Sequence, residues 1–187
     1  MMDKALLIID YSYDFIADDG KLTCGKPGQS IAQAIARKFE AYIAEGQPVF
    51  ITMDLHDFND MSHPESKLFP PHNLRGTAGR ELYGAVKEVY DKFRDHPLVF
   101  WIDKRRYSSF AGTPLHQYLT ERQIKMIELT GVCTDICVLH TAVDGYNLGY
   151  TMMVDKDAVQ SFSEAGHQFA LSHFEHSLGM TITGQSC

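Results

Sequence analysis

The strongest constraint in this 187-residue chain is a series of short apolar runs, each stopping at polar residues. Ala5-Leu6-Leu7-Ile8-Ile9 ends at Asp10, and Pro48-Val49-Phe50-Ile51-Thr52-Met53 ends at Asp54-Leu55-His56. The run 98–102 gives out near Lys104, 125–132 leads into Cys133, and 150–154 and 179–183 complete the set. A run without alternation suits a strand covered on both faces, as in a parallel sheet. Between the runs, helices are predicted over 31–45, 81–93, 114–121 and 164–176, with another opening at Thr134. Strand and helix alternate without repeats or an obvious linker. The sequence therefore predicts one α/β domain over 1–187, with a mostly parallel six-stranded sheet flanked by helices. Residues 57–80 carry three prolines and read as a long ordered loop. Such loops are usually functional.

A net charge of −7 argues against nucleic acid or an anionic membrane as partner. The N-terminus has no basic signal-type leader, and no stretch approaches a membrane span. Cysteines 24, 133, 137 and 187 form no CxxC pair, so free thiols and a cytoplasmic location are expected. Nine histidines are many for this length and raise the question of a metal.

In open α/β sheets, ligands bind beyond the carboxyl ends of the strands. Asp10, Asp54, His56, Lys104 and Cys137 all stand at or just past those ends. Thr134 is a suitable N-cap, which puts Cys137 in a first helical turn where the dipole lowers a thiol's pKa. The backbone amides of Cys133 and Cys137 lie close enough to point at one developing oxyanion. A small core residue is the plain alternative for Cys137. Asp10, after five apolar residues, is a partly desolvated base for that thiol. Lys104 could hold its carboxylate, with Arg105 and Arg106 solvated. Asp54 and His56, two apart in a strand, leave on one face. With His72 returning from the loop they could hold Zn²⁺, Mn²⁺ or Fe²⁺.

Six stretches resemble one family in the right order: Leu7-Ile8-Ile9-Asp10, Asp54-Leu55-His56, residues 70–79, 104–110 and 131–145, and Asp155-Lys156-Asp157-Ala158. The chain resembles the isochorismatase-like cysteine hydrolases over nearly its whole length, and within them the nicotinamidases. The resemblance implies a catalytic Asp10, Lys104 and Cys137, and a cis peptide between Val132 and Cys133 before the oxyanion amide. It implies one divalent transition metal per chain, zinc foremost with manganese or iron as alternatives, on Asp54, His56 and His72. The fourth ligand is assigned to Glu65, with His63 or water as alternatives. Phe15, Phe69 and Tyr107 would surround an aromatic ring whose nitrogen meets the metal.

The implied reaction is hydrolysis of nicotinamide to nicotinate and ammonia in NAD salvage, through a cysteine thioester, with pyrazinamide as a side substrate. Rival readings are an amidase for another small amide, a hydrolase in which the metal activates water, and a silent binding protein. Family members often form dimers or larger assemblies, which allows a homo-oligomer here.

Overall fold

The structure, a computed structural model, describes residues 3–184. Cys187, read above with the other free thiols, lies outside them. Strand β1 (Lys4–Ile9) is followed by two short helices, α1 (Tyr13–Ile16) and α2 (Gly25–Ser30), and by α3 (Ala32–Ala44). Next come β2 (Val49–Asp54), α4 (Gly84–Phe93), β3 (Val99–Lys104), α5 (Leu115–Glu121) and β4 (Met126–Val132). The chain closes with α6 (Leu139–Asn147), β5 (Thr151–Gln160), α7 (Glu164–His176) and β6 (Thr181–Thr183). The strands lie in the order β3-β2-β1-β4-β5-β6, and every neighbouring pair is parallel.

Alternate residues of β1 feed two cores. Ala5, Leu7 and Ile9 pack with Leu115 and Leu119 of α5, Ala142 of α6, and Ala170 and Phe174 of α7. Leu6 and Ile8 pack on the other face with Ile35 and Phe39 of α3 and Val86 of α4. Burying a leucine or isoleucine contributes about 1.5–3 kcal/mol. A strand apolar on both sides thus holds two helical layers at once, which is why the run is unbroken.

Several elements depart from the sequence reading. α4 begins at Gly84, because Leu82 and Tyr83 are spent on the core and on an antiparallel bridge between Ser12 and Leu82. β5 continues to Gln160 through a register shift against β4 between Leu129 and Gly131. The loop after β2 is ordered by two 3₁₀ turns, Pro64–Lys67 and Ala78–Arg80, and by a parallel bridge between His56 and Leu74. Among the described residues no helix is long and apolar enough to cross a membrane.

Candidate active site

The strand order reverses between β1 and β4, and a parallel sheet opens a crevice at such a point. Asp10 leaves β1 there with a φ of 54°, and Gly131 at the end of β4 has a φ of 108°. A β-carbon on Gly131 would overlap the Ile9 carbonyl, so only glycine lets the two strand ends meet this closely. The Val132–Cys133 peptide that follows is cis.

A five-residue π turn, Thr134–Val138, then carries Cys137 into the crevice before α6 begins. This corrects the expected cap. No side chain caps the turn; Ile136 and Val138 donate to the Cys133 carbonyl, and Thr134 Oγ1 pairs instead with His167 Nδ1 of α7 at 2.8 Å. The helix proper starts two residues beyond Cys137.

Asp10, Lys104 and Cys137 converge. Lys104 Nζ lies 2.7 Å from Asp10 Oδ2, 3.7 Å from Cys137 Sγ and 4.0 Å from Asp54 Oδ1, and it donates to the Arg106 carbonyl at 3.1 Å. The other oxygen of Asp10 accepts the Asp54 amide at 2.7 Å. All three side chains are buried. Burial pushes the Asp10 carboxyl up, against the opposing pull of Lys104. Burial also pushes the Cys137 thiol well up, with Lys104 pulling it down. That reverses the expected thiolate: desolvation of a sulfur with almost no water outweighs the helix-terminus effect. Burial disfavours the Lys104 charge too, yet Asp10, Cys137 and Asp54 together hold its pKa above the usual lysine range.

Beside this trio lies a second group. One donor atom each from Asp54, His56, Glu65 and His72 falls within 4.8 Å of the others, and all four residues are buried. His56 Nε2 is 2.6 Å from Asp54 Oδ2, and His72 Nε2 is 3.5 Å from Asp54 Oδ2 and 3.7 Å from Glu65 Oε2. His72 donates through Nδ1 to the Pro70 carbonyl at 2.8 Å, which turns Nε2 inward as a free acceptor. His72 Nε2 and Asp54 Oδ1 have no hydrogen-bond partner. Burial, then Asp54, raise the Glu65 carboxyl. Burial alone would lower His72, but the neighbouring Asp54 carboxylate leads the groups that raise it. Glu65 and His72 thus attract protons where a divalent cation would supply positive charge, and two carboxylates with two imidazoles suit zinc, manganese or iron. His63, the alternative fourth donor, has both ring nitrogens committed. Nε2 donates to the Arg105 carbonyl at 2.9 Å, and Nδ1 accepts the Glu65 amide at 3.3 Å.

Phe15, Phe69 and Tyr107 line the same cleft as Asp54, Glu65, Cys133 and Cys137. Leu22, Ile136 and Phe162 also line it and escaped the sequence reading. Ile136 lay within the stretch 131–145 and could have been flagged. Leu22 and Phe162 sit in connecting segments with no local pattern to mark them. Arg105, expected to be solvated, pairs with Asp57 and Asp60, while Arg106 donates to the Arg105 carbonyl.

Residues 4–186 match the isochorismatase domain. The isochorismatase family protein PncA of Bacillus subtilis (strain 168) is 52% identical over 97% of this chain and 99% of its own. A solved pyrazinamidase/nicotinamidase from Streptococcus mutans UA159 is 56% identical, with a TM-score of 0.94 over 96% of this chain and 99% of that one. A Pyrococcus horikoshii pyrazinamidase solved in complex with zinc is 25% identical, with a TM-score of 0.85 over 98% and 99% of the two chains. With a match of that length and relatives this similar end to end, the chain belongs to the isochorismatase family.

Proposed function

We propose that this protein is a nicotinamidase, an amidohydrolase that cleaves the carboxamide C–N bond of nicotinamide to give nicotinate and ammonia, and that it also accepts pyrazinamide. One observation carries the reading: a cysteine with an aspartate and a lysine faces a buried four-donor group across one aromatic-lined cleft. Relatives whose names include nicotinamidase and pyrazinamidase support the choice of substrate.

In this mechanism Asp10 takes the Cys137 proton and the sulfur attacks the carboxamide carbon. Asp10 starts as the carboxylate paired with Lys104 and Cys137 as a neutral thiol, so the transfer moves the negative charge from the carboxylate to the sulfur. The Lys104 ammonium, 3.7 Å away, stabilises that charge. Backbone N–H groups of Cys133 and Cys137 hold the oxyanion. As the C–N bond breaks, Asp10 returns its proton to the departing nitrogen, and ammonia leaves a thioester on Cys137. Asp10 then removes a proton from water, which attacks the thioester carbonyl. Nicotinate departs and the sulfur recovers its proton.

Asp54, His56, Glu65 and His72 would hold the divalent metal, zinc foremost. When bound, it supplies a Lewis-acidic position for a pyridine nitrogen. Phe15, Phe69 and Tyr107 pack the ring and keep water from the thioester until ammonia has gone. Alkylating Cys137 tests the scheme: turnover of nicotinamide is lost in step with the adduct. Full turnover by fully alkylated protein would contradict it.

A further inference from the structure

The four donors are buried, so a metal needs a way in, and two different clefts reach them. Asp54 and Glu65 border the cleft that contains Cys137. His56, Glu65 and His72 border a second cleft, walled by Phe58, Met61 and Pro71 of the loop after β2. The donor group is therefore a partition between the two clefts. Glu65 and Phe69 are the residues of that partition that face both.

The outer wall is lightly built. Phe58 and Met61 are 75% and 70% exposed and contribute little to any core. What fastens this stretch to the sheet is Arg105, directly after Lys104. Its guanidinium bonds both Asp57 and Asp60, and Arg75 adds a second hold on Asp57. The Arg105 carbonyl also receives His63 Nε2–H. Arg105 thus joins β3 to both ends of the outer wall. Neither its charge nor its position serves the proposed chemistry, since it touches none of the three reacting side chains.

We propose that the metal is loaded and lost through this outer cleft, separately from substrate, and that Arg105 is the clasp that sets the rate. This rests on the metal site proposed above. Separate routes have a chemical rationale. The ion need not pass the nucleophilic sulfur, and substrate need not be displaced for the ion to exchange. Releasing the clasp frees the wall to swing from the donors while Asp54, on β2, stays in place.

The test follows zinc release from the zinc-loaded full chain to excess chelator, with a metal-sensitive dye as the readout. Two manipulations are compared with the untreated protein. Capping Cys137 with N-ethylmaleimide, with the adduct located by mass spectrometry, plugs the inner cleft without adding a metal ligand. The expected release rate is unchanged. Arg105→Ala opens the clasp and is expected to speed release about fivefold, with Arg105→Lys partly restoring the slow rate. The KM for nicotinamide of zinc-loaded Arg105→Ala should match the parent. Slower release after capping would route the metal through the inner cleft and overturn the proposal, as would an unchanged rate in Arg105→Ala. Protein that takes up no zinc would overturn the metal site itself, which separates that failure from failure of the route.

Discussion

Lys104 holds its ammonium where almost no water reaches it, and two carboxylates and a sulfur stand in for the solvent. Removing one member of a buried ion pair leaves the other charge uncompensated, at a cost of about 3–5 kcal/mol. Lys104→Met is therefore expected to lose about that much in urea unfolding. Its nicotinamide turnover should fall by at least about 100-fold, since neither Asp10 nor the thiolate keeps a counter-charge. A variant with normal stability and turnover would show that the lysine is a bystander. That these residues come together was legible in the sequence, because each stands at or just past the end of an apolar run. Their protonation was not. The dipole argument for Cys137 used only its place in the turn, whereas the thiol is buried and is flanked by Lys104 of β3, Asp10 after β1 and Asp54 of β2.

Among the elements, the junction of β4 with the π turn bears the most constraint. Gly131→Ala would push a methyl into the Ile9 carbonyl at a φ that side chains avoid. A loss of about 2–4 kcal/mol is expected. An unchanged thermal midpoint would mean that β1 and β4 can move apart.

The π turn is tied to α7 through Thr134 and His167, and burial lowers the His167 pKa. A histidine with a depressed folded pKa binds fewer protons than in the unfolded chain. Its contribution is complete above the unfolded value near 6.5 and is lost as pH falls through the folded one. Unfolding midpoints of the parent should thus drop more steeply below about pH 6.5 than those of His167→Gln. Parallel curves would contradict this.

The long strands and helices were readable because each carries a period that one chain segment can display. The short helices α1 and α2, the π turn and the extension of β5 were not. The π turn arises from where the Cys133 carbonyl finds its donors, and β5 lengthens only because β4 shifts register beside it. Thr134 read as a cap because the competing partner, His167, lies 33 residues away.

For the whole molecule, the sheet order alone decides where chemistry can occur. Strand ends from β1, β2, β3 and β4 meet at the reversal, and the loop after β2 closes over them. The loop brings Glu65 and His72 to Asp54 at the end of β2 and His56 just past it. Bound metal should therefore stabilise the whole fold by linkage, by about 2.7 kcal/mol at one hundred times its dissociation constant. Chelation should lower the thermal midpoint of the parent and leave His72→Ala, which is expected to hold zinc poorly, nearly unaffected. Equal responses would mean that His72 is not part of the site.

The central claim is that Cys137 attacks a carboxamide. It is tested most directly by ammonia release from nicotinamide, with zinc-loaded parent and Cys137→Ala run side by side. The parent is expected to release ammonia and nicotinate in equal amounts while Cys137→Ala, equally loaded with zinc, releases neither. Comparable release by both proteins would contradict the account and move the chemistry away from the sulfur.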